Sequence, residues 1–76
     1  EFKLLFYLYG LGAVNQGNAM FAEELSEILR MKLSSVRRLL QKLTKLGYVS
    51  TFRHSRRRSR YFLTKLGIVK VCSVFS

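Results

Sequence analysis

Apolar residues crowd the start of the chain and then settle into two different rhythms. Phe2, Leu4, Leu5, Phe6, Leu8 and Leu11 leave almost no polar face. This predicts a helix over 2–14 that needs cover on several sides, from the core and from a partner chain. Gly12–Asn18 holds Gly12, Asn15, Gly17 and Asn18, a loop composition. Leu25, Ile28 and Leu29 then recur at helical spacing and predict a helix over 22–31. Glu23, Glu24 and Glu27 fall in its first half, where the helix dipole favours negative charge, and Arg30 falls near its end.

After a short break at Met31–Leu33 the pattern is cleaner. Val36, Leu39, Leu40, Leu43 and Leu46 form one stripe of a helix over 34–46. Ser34 is its expected N-cap and Gly47 its C′ residue. On the opposite face Ser34, Arg38, Gln41 and Lys45 stack along one line, flanked by Ser35, Arg37, Lys42 and Thr44. Beyond Gly47 the period changes. The β-branched and aromatic runs at 48–54 and 59–64 predict a β-hairpin whose tip, Ser55-Arg56-Arg57-Arg58, lacks an Asn-Gly signal. At 65–75, Ile68, Val71, Cys72 and Phe75 fit helical spacing, although the Val and Ile content also suits a strand; a short helix is the reading adopted. The expected class is α+β, as one domain over residues 1–76.

Charge sharpens this picture. The chain has 76 residues and a formal net charge of +10. Its four acids are Glu1, Glu23, Glu24 and Glu27, and all but one of its 14 Lys and Arg lie from Arg30 onward. A fold this one-sided repels itself and is usually tolerated because a polyanion will be bound. DNA, RNA and an anionic membrane surface are the candidates.

The element order turns that charge into a device. The major groove of B-DNA admits a helix, and a preceding helix can brace it across the backbone. Arg38 can pair bidentately with guanine and Gln41 with adenine. Ser34 and Ser35 can meet phosphate or base edges, Lys42 and Lys45 suit phosphates, and Arg37 stands with them on the recognition helix. The hairpin offers Arg53, His54, Ser55, Arg56, Arg57, Arg58 and Arg60 for flanking phosphates or the minor groove, where arginine is attracted by negative potential. A basic helix face is often only solvated, and an arginine run can serve solubility alone. Here the two occur on neighbouring elements with no compensating acid.

Residues 21–67 resemble the core of winged helix-turn-helix transcription regulators of the MarR and ArsR-like group. The carrying blocks are Glu24-Leu25-Ser26-Glu27-Ile28-Leu29, Ser34-Ser35-Val36-Arg37-Arg38-Leu39-Leu40-Gln41-Lys42-Leu43, Leu46-Gly47-Tyr48-Val49 and Arg58-Ser59-Arg60-Tyr61-Phe62-Leu63-Thr64-Lys65-Leu66-Gly67. The resemblance implies a positioning helix, a recognition helix, and a wing entered and left by the last two blocks. The compact size also resembles small regulators of archaeal viruses and plasmids. The long terminal helices that dimerise many such regulators are absent, and nothing resembles a metal-sensing cysteine set or a ligand pocket.

Other chemistries find little footing. His54 has no Cys, Asp or second His near it in sequence, so no metal site is expected. Glu23 and Glu27 lie one turn apart but show no second shell for catalysis, and Ser34 and Ser35 have no nearby base. No catalytic residue, cofactor or small-molecule substrate is expected. Tyr48 and Tyr61 are read as core packing rather than as base-stacking platforms. Cys72, the single cysteine, reads as a buried thiol in a reducing compartment, with an intermolecular disulfide as its alternative. The apolar 2–14 stretch is too short to span a bilayer.

The expected function is sequence-specific double-stranded DNA binding as a cytoplasmic, nucleoid-associated regulator. The protein is expected to act as a homodimer or as two protomers per site, through the apolar first helix, the C-terminal segment, or both. The rival readings are an RNA-binding winged helix and a protein- or membrane-surface module.

Overall fold

A computed structural model describes residues 2–56 and 58–75, with the side chains of His54, Val74 and Phe75 left aside. Helix α1 (Lys3–Gly10) leads through a short 3₁₀ turn (Gln16–Asn18) to strand β1 (Met20–Phe21). Helices α2 (Ala22–Leu29) and α3 (Leu33–Lys45) follow, then the hairpin β2 (Val49–Ser55) and β3 (Arg58–Leu63), and helix α4 (Lys65–Phe75). The three strands form one antiparallel sheet in the order β1-β3-β2. The class is α+β, as the sequence pattern predicts. Among the described residues no helix is long and apolar enough to cross a membrane.

The core is a leucine layer in which each helix buries one stripe. Leu4, Leu5 and Leu8 of α1 meet Leu25 of α2 and Val36, Leu40 and Leu43 of α3. Val49, Leu63 and Val71 close it from the sheet and α4. Fully burying one such side chain stabilises the fold by about 1.5–3 kcal/mol, the main force holding so small a domain.

Three helices end in the same way. After α1, Gly12 adopts φ 78°, with Gly12 N–H donating to Tyr9 O and Ala13 N–H to Leu8 O. After α3, Gly47 adopts φ 85°, with Gly47 N–H donating to Thr44 O and Tyr48 N–H to Leu43 O. Both are Schellman closures, in which a left-handed residue lets the chain turn back on the last carbonyls. After α2 the same closure falls on Arg30 at φ 55°, a conformation that side chains other than glycine's adopt at a cost. Ser26 Oγ donates to Met31 O at 2.7 Å and pins that turn.

These closures correct several expected boundaries. The first helix stops at Gly10 rather than 14 because Gly12 turns it. The second stops at Leu29 rather than 31 because Arg30 leaves helical space. Ser34 is not the N-cap of α3. Lys32 is, without a side-chain cap, and Leu33 begins the helix because it packs against the core. The hairpin strands run one residue later and earlier than expected, to Ser55 and from Arg58, with an irregularity between Arg53 and Ser55. Strand β1, which pairs Met20 with Tyr61 and Phe21 with Arg60, was not foreseen; two residues carry no period. Cys72 is exposed rather than buried, on the outer side of α4 with Leu66 and Val69.

Candidate nucleic-acid interface

Helix α3 is positioned by its greasy side. With Val36, Leu40 and Leu43 fully buried, Ser34, Arg37, Arg38, Gln41, Lys42 and Lys45 are all turned to solvent, and Ser35 is half-buried. The expected line of hydroxyl, amide and cation is therefore presented as one exposed face. Arg37 bends toward α2, where its Nη2 lies 3.5 Å from Glu23 Oε2, both side chains being partly exposed. Arg30 and Lys32, exposed at the turn before α3, add two cations that the sequence pattern had not assigned to the site. Their signal was adjacency to the helix start.

The hairpin is held against α3 by Thr64. Its N–H donates to Tyr48 O at 3.0 Å, its Oγ1 donates to Gly47 O at 2.6 Å, and Gly67 N–H donates to that Oγ1 at 3.1 Å. One residue thus joins the end of α3, the start and end of the hairpin, and the first turn of α4. Gly67 is required here because a Cβ would overlap the Tyr48 carbonyl.

The predicted hairpin cations take two different environments. Arg53, Ser55 and Arg56 are exposed. Arg58 and Arg60, two residues apart on one face of β3, both lie over the ring of Phe21, at 3.9 and 4.6 Å from its centroid. A guanidinium on an aromatic face gains about 0.5–1 kcal/mol when exposed and more when desolvated. Arg60 is half-buried, with a buried Nε that has no hydrogen-bond partner. Arg57 and the side chain of His54 lie outside the described residues.

Between α3 and the hairpin runs a groove of about 400 Å3, lined by Arg37, Gln41, Thr44, Lys45, Thr51 and Tyr61. Thr51 and Tyr61 were missed as site residues; Tyr61 packs against the core, as expected, and also lines the groove. They pair across β2 and β3 on the same face as Val49 and Leu63, but farther toward the tip, so the face that starts in the core ends in the groove. A second hollow, of about 290 Å3, lies between α1 and the α2–α3 turn. Leu4, Tyr7, Leu29, Met31 and Leu39 make it largely apolar, with Lys3 at its edge; no such hollow was expected. Among the described residues no group of three His, Cys, Asp or Glu gathers to hold a metal.

The described residues thus combine a helix, a tight left-handed turn, a second helix with an exposed polar face, and a hairpin docked beside it. A scan against protein-family models finds no match, and a search of curated proteins finds none. Among solved structures, TubR from Bacillus megaterium pBM400 superposes with a TM-score of 0.83. The match covers 95% of this chain and 79% of that one at 19% sequence identity. The fold is a winged helix-turn-helix. At that identity the likeness carries the architecture, with α2 and α3 as the helix-turn-helix and β2–β3 as the wing.

Proposed function

We propose that this winged helix binds double-stranded DNA in a sequence-specific manner and acts as a transcription regulator, with α3 in the major groove and the wing on the flanking backbone or minor groove. One observation carries the reading. The exposed face of α3 bears Ser34, Arg38, Gln41, Lys42 and Lys45 with no acid, and a cation-lined groove joins it to a wing bearing Arg53, Arg56 and Arg58. Cations therefore stand on the helix, in the groove and on the wing. A helix of 13 residues is about 20 Å long, ample for its first turns to enter a groove about 12 Å wide.

In this docking Arg38 and Gln41 read base edges, while Ser34, Ser35, Arg37, Lys42 and Lys45 set the register on phosphates. Wing residues Arg53, Ser55, Arg56 and Arg58 contribute mainly electrostatics. The MarR and ArsR-like group, and the small regulators of archaeal viruses and plasmids, are the regulators this chain is read as resembling, on the sequence blocks around Ser34–Leu43 and Arg58–Gly67. The protein is placed at the nucleoid by the same reading.

Two protomers per site complete the proposal, since one module covers about one half-site. Exposed Tyr7, Tyr9 and Leu11 at α1 and Leu66 and Val69 on α4 favour those two helices as the contact. Sedimentation of the protein with and without operator checks this; an exclusively monomeric complex on a symmetric site sinks it.

The deciding experiment is a binding selection from random duplex DNA, with single-stranded DNA and structured RNA as competitors. A recovered motif with two half-sites about one helical turn apart is expected. Affinity without a motif would leave a non-specific DNA-coating protein, and preference for RNA would replace the reading.

A further inference from the structure

A small cleft opens where α2, α3 and β3 meet, with a volume of about 150 Å3. Its wall is formed by Ala22, Glu23, Arg37, Arg58, Ser59 and Tyr61. Since a water takes about 30 Å3 of liquid, the hollow has room for a few waters or one tetrahedral oxyanion. Two arginines line it from different elements. Arg58, exposed, has its guanidinium over the Phe21 ring at 3.9 Å, which favours this placement. Arg37 is held at 3.5 Å by Glu23. Ser59 and Tyr61 are hydroxyl-bearing residues of the same wall. Paired arginines with hydroxyls form a recognition set for phosphate rather than for a neutral ligand.

The position fits a nucleic-acid strand. Arg37 and Tyr61 line both this cleft and the larger groove between α3 and the wing, so the two hollows share a wall. A backbone following the groove past Lys45 and Thr51 passes Arg37 and Tyr61, which also line the cleft. Glu23 is the acid in its wall; Glu24 and Glu27 of the same helix do not line it. Its carboxylate stands against Arg37 as a phosphate oxygen would.

We infer that this cleft seats one backbone phosphate of the bound DNA, and that Glu23 holds Arg37 in that phosphate's place until DNA displaces it. The inference rests on the DNA-binding reading and adds to it a named phosphate site with an internal competitor. Glu23 thereby weakens binding and makes the contact conditional on a correctly placed strand.

The test is fluorescence anisotropy on duplex DNA with wild type, Glu23→Gln, Glu27→Gln, Tyr61→Phe, Arg37→Gln, and the double variant that combines Glu23→Gln with Arg37→Gln. An exposed ion pair corresponds to at most about fivefold in an equilibrium constant, so Glu23→Gln is expected to tighten binding about two- to fivefold. Tyr61→Phe is expected to weaken it, and the Glu23 gain should vanish once Arg37 is gone. Glu27→Gln serves as the control for general charge on the same helix. The site is overturned if Glu23→Gln gains no more than Glu27→Gln, or if its gain persists without Arg37. Wild type that does not bind duplex DNA removes the DNA-binding reading itself, whereas wild type that binds while all five variants match it removes only this site.

Discussion

Gly67→Ala offers a direct test of how the wing is fastened. A helix interior ordinarily gains about 1 kcal/mol when glycine becomes alanine. At Gly67 the new Cβ would overlap the carbonyl oxygen of Tyr48 and lie 3.1 Å from its carbon and 2.9 Å from Leu63 Cδ2. Both carbon contacts are inside the ~3.5 Å at which non-bonded atoms attract. The obstacle is backbone, which cannot rotate away. Overpacking of this kind costs about 1–3 kcal/mol. The same carbonyl accepts the Thr64 N–H at 3.0 Å, and moving α4 away from it also loses that hydrogen bond, about 0.5–1.5 kcal/mol. After the helical gain is offset, and because the clash is with rigid backbone, the net loss is about 2–3 kcal/mol, near the upper end of these ranges. In a domain of this size that lowers Tm by about 10–20 °C. Urea and thermal unfolding followed by circular dichroism measure it. Gly10→Ala is the internal control, because nothing lies within 4 Å of its Cβ; stability there should hold or rise by up to about 1 kcal/mol. If Gly67→Ala is as stable as wild type, the close approach of α4 to Tyr48 is not what fastens the wing.

Three further outcomes are expected. Arg30→Gly should raise stability by about 0.5–1 kcal/mol, because glycine relieves the left-handed backbone at φ 55°; a lowered urea midpoint would contradict the strain argument. Thr64→Val should cost about 1–2 kcal/mol by removing the hydroxyl that caps Gly67 N–H and bonds Gly47 O, read as a shift in urea midpoint, and a shift near zero would mean that water replaces both bonds. In DNA-binding titrations Arg38→Ala should cost about 1–3 kcal/mol and relax preference at one base position, while Arg56→Ala should weaken all sequences alike and reduce the salt slope by about 0.9; equal losses for Arg38→Ala on operator and random DNA would remove its base-reading role.

Much of this protein was legible along the chain because its elements obey strong local rules. The stripe from Val36 to Leu43 required a helix with its cations outward, and burial of that stripe placed Arg38, Gln41 and Lys45 in solvent as the period demanded. Gly47 at the end of α3 and the basic tip between two β-rich runs were similarly local signals. What escaped had partners far away in sequence. Strand β1 exists because β3 offers it an edge, and Phe21 matters because Arg58 and Arg60 arrive on its ring 37 and 39 positions later.

The sequence by itself determined the helix-turn-helix order, the one-sided charge and the residue types on the exposed face of α3, since periodicity and composition are properties of neighbours. Tertiary structure alone decided which arginines stand free and which lie on Phe21, that Leu33 rather than Ser34 opens α3, and that Thr51 and Tyr61 turn toward a groove. Those outcomes depend on which surfaces compete for the same core, and that competition is resolved only when the distant segments meet.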